Sequence, residues 1–313
     1  MIEALKLNKK LIINTDLDGV LSGLILQEFL GCEIVGFCNS DNKLWLIEEE
    51  KSHYKQFTFI DMFVVNKDIT CIDQHIISYD EQHSFLLKSH GNKINPNLIR
   101  GRFFSSTSSY IKKYPFGTVH FIIAELEKNG LDLEKIKLFS AENTLNPIDF
   151  FLRADDALIT SVEKYKENAK DWWEWLKNYS CEGKITNKFI DYVYSDINAF
   201  ELKKEVETLL LAKPFYCKKP DGGFFEILDS ENRLLPNFKL YLDFIAREIN
   251  LSPLMMKENF MVLEGIPKRI NFKIADFSEL MAHSTVSGKK VFSYAFVKSQ
   301  GKENSFSFTY FEK

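Results

Sequence analysis

"LIINTDLDGVLSGLIL", Leu11 to Leu26, joins an apolar run to a helical pattern through two aspartates one residue apart. Leu11–Asn14 reads as a strand, and a helix follows from about Gly19 to Leu30. The same alternation continues along the first half. "CEIVGFC" (Cys32–Cys38), "FTFIDMFV" (Phe57–Val64) and "ITCID" (Ile69–Asp73) predict three further strands. "GTVHFIIAELEKNG" (Gly117–Gly130) predicts a helix closed by a C-terminal glycine. Strands and helices in alternation imply a mainly parallel sheet covered on both faces. In such a sheet ligands sit at the carboxyl ends of the strands, where several loops converge.

The chain has 313 residues, 45% of them hydrophobic, enough for a large core or two domains. A net charge of -4 gives no global attraction to nucleic acid or anionic membrane. Five cysteines, odd in number and without a CxxC pair, argue against a disulfide framework or structural zinc and fit a reducing compartment. The start, "MIEALKLNKKLIINTD", reaches charged residues too early for a signal peptide, and no apolar stretch approaches roughly 18 residues. The expectation is a cytoplasmic protein without a membrane segment.

From about Leu133 to Leu211 the pattern is helical, with an aromatic face in "DWWEWLKNY" (Asp171–Tyr179) and a long amphipathic helix over Asp191–Lys213. "KPFYCKKPDGGFFEILDS" restarts β-structure after a Pro/Gly turn, which places a boundary near Pro214. The expected organisation is an α/β domain over 1–185, a helical linker over 186–213 and a smaller C-terminal α+β domain over 214–313. In the last the expected elements are a helix over about Phe238–Ile249 and a final strand, "NSFSFTYF", alternating with a period of two.

Acidic residues recur at the strand ends. Asp16 and Asp18 follow the first strand, Asp61 ends "FTFID", and Asp73 ends "ITCID" just before Gln74 and His75. A later pair, Asp155 and Asp156, lies in "FLRADDALIT". Carboxylates converging on one sheet edge repel one another unless cations or protons compensate. Residues at i and i+2 in an extended loop point to different sides, so Asp16 and Asp18 can serve two metals, with Asp61 between them. Two cations roughly 3.5–4 Å apart activate water and stabilise a displaced phosphoryl oxygen. Asp and Gly after a strand are also ordinary turn and helix-capping residues.

"NTDLDGVLSG", then "IDMF", then "IDQH" resembles the DHH phosphoesterase superfamily, across roughly the first 160 residues. Its motifs read His-x-Asp-x-Asp-Gly/Ala, a lone Asp after a strand, and Asp-His-His. The resemblance implies two divalent ions, Mn²⁺ or Mg²⁺, one on Asp16 and one on Asp18, bridged by Asp61. It implies His75 facing a substrate phosphate, Asp73 orienting its neighbours, and a fourth-motif ligand at Asp155, with Asp156 second. The implied activity is hydrolysis of a phosphodiester or phosphoanhydride in a nucleotide, short oligonucleotide or polyphosphate. Implied partners are a phosphate-containing small molecule or short single-stranded nucleic acid, with a homodimer as a candidate assembly.

Two positions depart from that pattern. Asn14 stands where the family has His or Asp, and Gln74 stands at the centre of Asp-His-His. An amide oxygen is a weak ligand beside an imidazole. Either the site has become all-oxygen and suits Mg²⁺, or the chain is a catalytically inactive scaffold that binds a nucleotide or a protein.

Around these residues, "NPNLIRGRFFSSTSSYIKKYPFGTVHF" carries Arg100, Arg102, Lys112 and Lys113 with a Ser/Thr run. It reads as a phosphate-binding loop with Arg100 as phosphate ligand, or as a solvated loop ending in a cap at Thr118. Trp172, Trp173 and Trp175 read as interdomain core before base-stacking. "SGKK" (Ser287–Lys290) and Gly222–Gly223 read as turns, His120 as a packed helix residue, and His283 as a substrate contact worth testing.

Overall fold

An apolar run that buries on both faces belongs in the middle of a covered sheet. Lys10–Asn14 (β1) does so, with Leu11, Ile12 and Ile13 fully buried. The computed structural model describes residues 1–40, 42–105, 111–137, 163–193, 199–271, 273–297 and 305–311. A short helix, α1 (Ile2–Leu7), precedes β1. After it come α2 (Leu17–Leu30), β2 (Glu33–Cys38), β3 (Lys43–Ile47), β4 (Thr58–Ile60) and β5 (Cys71–Ile72). Then follow α3 (Glu81–Ser89), β6 (Lys93–Ile94), α4 (Pro96–Arg100) and α5 (Thr118–Lys128). Helices α6 (Glu163–Tyr179), α7 (Lys184–Val193), α8 (Ala199–Leu211) and α9 (Pro236–Glu248) lead to β7 (Phe260–Glu264) and β8 (Ile266–Asn271). The chain closes with α10 (Ile274–His283), β9 (Thr285–Val286), β10 (Lys289–Lys290), β11 (Ser293–Val297) and β12 (Ser305–Tyr310).

The main sheet has seven strands in the order β6-β5-β4-β1-β2-β3-β7. Pairings from β6 through β2 are parallel, and β3 and β7 add antiparallel at the far edge. This is the mixed α/β architecture, mainly parallel and flanked by helices, with a smaller β-rich part toward the C-terminus. β3 lies in "KLWLI", a run without the period-two alternation that marks a half-buried strand, because four of its five residues are buried. β7 comes from beyond Pro214, so the C-terminal third completes the sheet of the first. The long helix expected over Asp191–Lys213 is seen as α7 and α8, with residues 194–198 outside the described ones.

α2 packs onto β1 because two glycines let it approach. A Cβ on Gly19 would stand 2.3 Å from the Asn14 carbonyl oxygen, and one on Gly23 2.8 Å from Ile13 Cδ1. Val20, Leu21, Leu24, Ile25 and Leu26 are buried, each contributing about 1.5–3 kcal/mol. The helix is covered again from outside: α5 and α9 both pack on it. Gln27 donates to the Pro253 carbonyl (3.0 Å) and accepts from the Met255 N–H (2.8 Å), tying α2 to the chain after α9.

The smaller sheet has the order β11-β12-β8, all antiparallel. One face carries Tyr294, Phe296 and Phe306, packed on Phe63, Tyr79 and Phe104 of the first half. The other face pairs Ser293 with Thr309 and Ala295 with Ser307. The alternation expected in "NSFSFTYF" is present, but Thr309 is buried as well as Phe306 and Phe308, because the small face is also covered. Ser287 and Gly288 both have positive φ and join β9 to β10, so "SGKK" is a hairpin turn.

Candidate functional site

β5, β4, β1 and β2 are consecutive neighbours, so the residues at their carboxyl ends form a row. Asp73 follows β5, Asp61 follows β4, Asn14 ends β1, and Ser40 lies just past β2. The ladder runs on past the strands, from the Asp61 N–H to the Ile72 carbonyl (2.8 Å) and from the Thr15 N–H to the Cys38 carbonyl (2.9 Å). β4 stops at Ile60, short of the strand expected to Val64, because Asp61 turns left-handed at φ 59°. An aspartate tolerates that region better than a branched residue, and the turn sets its carboxylate over the sheet edge.

Asn14 Nδ2 lies 2.9 Å from Asp16 Oδ2, 3.0 Å from Asp61 Oδ2 and 2.8 Å from Ser40 Oγ. The amide therefore shares two hydrogens among three oxygens and holds two carboxylates together. Asp16 also caps α2, accepting from the Gly19 N–H at 3.0 Å. Asp18 caps a different helix: its oxygens accept from the Thr118 and Val119 N–H groups of α5 at 2.8 and 3.0 Å. The Thr118 hydroxyl donates to Asp61 Oδ1 at 2.7 Å, linking that cap to the row. Capping and convergence are thus both realised, in the same residues.

On the other side of Asp61, His75 Nδ1 is 2.8 Å from Asp73 Oδ1, and the His75 N–H donates to Asp73 Oδ2 at 3.2 Å. Desolvation lowers the His75 pKa, but the Asp73 carboxylate, its hydrogen bond and Asp61 outweigh it, and the value is pushed up to about 9. The buried Asp73 carboxylate thus favours the protonated form of the ring. Burial raises the pKa of Asp61, with the His75 charge opposing. Gln74 Nε2 lies 3.2 Å from His75 Nε2, a geometry in which the amide donates to a neutral ring nitrogen.

The ligand atoms of Asp61, Asp73 and His75 lie within 4.8 Å of one another. Two oxygens and a nitrogen suit one divalent first-row ion once His75 gives up its proton. A second ion on Asp16 and Asp61 does not fit the side chains as they stand, because the Asn14 amide nitrogen already bridges those two carboxylates. It fits only with that amide turned to offer its oxygen.

A cleft of about 520 Å³ opens above the row. Asn14, Asp16, Asp18, Asp61, Gln74 and His75 line it, and the sequence singled out all six. Lys113, Lys203 and Lys219 line the same cleft from three separate segments. A smaller chamber of about 150 Å³ opens on the far side of Asp61, Asp73 and His75.

Arg100 corrects the expectation. It is paired with Asp171 at 3.0 Å, its guanidinium lies 4.4 Å from the Trp172 ring centre, and it lines neither cavity. A flat guanidinium over an indole, fixed by a carboxylate, is a packing arrangement. Trp172 and Trp173 are fully buried against Tyr114 and Phe116, so they are core, but core within the α/β part rather than the interdomain seam expected. Asp155 and Asp156 lie outside the described residues. His120 is buried in α5, and His283 ends α10 exposed and away from both cavities.

Ser40, Lys203, Lys219 and Asp221 were not foreseen at the cleft. Lys219 and Asp221 lie in the "KPDGG" turn, which the Leu17 N–H anchors by donating to the Asp221 carbonyl at 2.9 Å. No family model, curated protein or solved structure matches the chain.

Proposed function

We propose that the protein is a divalent-ion-dependent phosphoesterase of the DHH type, acting on a phosphodiester or phosphoanhydride in a nucleotide, short oligonucleotide or polyphosphate. The observation that carries this reading is that Asp61 and His75, which with the buried Asp73 form a three-ligand cluster, share one cleft with three lysines. Acids without a cationic rim would repel a phosphate, and lysines without the acids would bind it without activating anything. Asp61, Asp73 and His75 would hold one ion, and Asp16 and Asp61, with the Asn14 amide turned, the other. Such an ion supplies a Lewis-acid charge and lowers the pKa of water. The chain itself supplies the lysine charges that hold the phosphate and the Thr118 hydroxyl that fixes the Asp61 carboxylate.

One observation favours a second reading. The Asn14 amide sits between Asp16 and Asp61, where a cation would otherwise lie, and this suits an inactive scaffold that still binds phosphates. Calorimetric titration of metal-stripped protein with Mn²⁺ and Mg²⁺ separates the two, with Asp61→Asn as control. Micromolar binding lost in the variant, together with turnover of a phosphoester, supports the enzyme. Absence of both supports the scaffold.

A further inference from the structure

Tyr114 lines the cleft, yet its phenol oxygen, in a side chain only 1% exposed, has no hydrogen-bond partner among the described residues. A buried, unpaired hydroxyl is costly, and folded proteins contain few of them. The chain around it is firmly held. The Trp172 indole N–H donates to the Lys112 carbonyl at 3.0 Å, the Asn168 amide to the Lys113 carbonyl at 2.8 Å, and the Tyr114 N–H to Asn97 Oδ1 at 2.7 Å. The same Asn97 side chain donates to the Gln74 carbonyl at 2.7 Å, which ties this segment to the loop that carries His75. T-shaped contacts with Phe116 and Trp172, at centroid distances of 5.5 and 5.1 Å, fix the Tyr114 ring. A braced segment thus presents two successive residues, Lys113 and Tyr114, to the cleft.

From this orphaned, braced phenol we infer that Tyr114 is a binding residue, whose hydroxyl donates to a phosphoryl oxygen of the ligand beside Lys113. The inference deepens the phosphoesterase reading and rests on it only for the ligand being a phosphate. Burial, with the Asp18 charge adding to it, holds the phenol pKa well above its ordinary value of 10, so the group is a donor and needs an acceptor. Asp18 does not serve: its two oxygens accept from the Thr118 and Val119 N–H groups. Those bonds also close the start of α5 to an anion, so a phosphate in the cleft must find its donors on side chains such as Lys113 and Tyr114. A phosphoryl oxygen is a strong, charged acceptor, and a donor fixed before binding loses little freedom when it engages.

The test compares the removal of two buried hydroxyls from the full chain. Tyr114→Phe keeps the ring and its contacts, so it should unfold at the wild-type temperature or above. Its affinity for inorganic phosphate, read by calorimetry in excess Mg²⁺ and again in EDTA, should fall about tenfold. Tyr294→Phe is the contrast. That hydroxyl donates to the Ile77 carbonyl, so the variant should unfold at a lower temperature and bind phosphate as wild type does. A destabilised or unfolded Tyr114→Phe would show its hydroxyl to be a structural partner and overturn the inference. An affinity within about twofold of wild type would overturn it too, as would a wild type that binds no phosphate in either buffer. Turnover is read separately. Phosphate binding that depends on Tyr114, without hydrolysis of any phosphoester, sinks the phosphoesterase reading and leaves the contact standing; hydrolysis with kcat and KM unchanged in Tyr114→Phe does the reverse.

Discussion

Replacing Asp18 separates its part in holding the fold from any part in holding a metal. Its carboxylate is buried and accepts from two backbone N–H groups at the start of α5, 2.8 and 3.0 Å away. A hydrogen bond to a charged group contributes about 1.5–3 kcal/mol, and the helix dipole adds to it. Asp18→Ala removes both bonds, leaves two buried donors without an acceptor and opens a small void. The expected loss is about 3–5 kcal/mol, a large share of the roughly 5–15 kcal/mol by which such proteins are stable. Asp18→Asn keeps one acceptor oxygen but sets an NH₂ against the second N–H, so it recovers less than half of the loss. The assay is urea unfolding of both variants in excess EDTA, followed by circular dichroism. Under those conditions no metal contributes, and a loss of the stated size comes from the cap alone. A loss below about 1 kcal/mol for Asp18→Ala in EDTA would falsify the capping account and assign Asp18 to ion binding.

His83 is buried, and burial lowers its pKa from 6.5 to about 4. Its Nδ1 accepts from the Tyr79 N–H at 3.1 Å, so protonation there breaks a bond as well as burying a charge. Below pH 6.5 the unfolded chain takes up a proton that the folded chain refuses, so stability falls with pH down to about 4, by about 3 kcal/mol in all. His83→Gln should flatten that slope in urea titrations at successive pH values, and an identical slope in both proteins would refute the assignment. Gly19→Ala should lower stability by more than 2 kcal/mol, against the usual small gain of alanine in a helix, since its Cβ meets backbone at 2.3 Å. A neutral or stabilised variant in thermal unfolding would contradict the close approach of α2 to β1. Arg100→Gln should leave phosphate binding within about twofold of wild type by calorimetry, because Arg100 is engaged with Asp171 and Trp172. A tenfold weakening would place it back at the cleft.

Local signals were enough for the start of the fold and for the seat of the site. An apolar tripeptide, a capping aspartate and two glycines specify β1 and α2 within thirty residues, because strand and helix periodicity and N-capping act over a few residues. Asp73 and His75 find each other over two residues for the same reason. The acids converge because they follow neighbouring parallel strands, which the alternation of elements implies.

Other assignments depended on residues far apart in the chain. Asp18 spends its carboxylate on a helix that begins 100 residues later. Arg100 meets Asp171, 71 residues on, and so leaves the phosphate site it was expected to serve. Lys203, Lys219 and β7 reach the first half from beyond residue 198, across separations where no short-range pattern constrains a partner. Which charged group meets which is decided by packing of whole elements, since each side chain takes the partner that desolvation and geometry leave within reach. Amino-acid order determined the parallel strands β1, β2, β4 and β5, the leading helix and the row of acids along one edge; the tertiary structure alone added β3, β6 and β7 and decided which cations face that row.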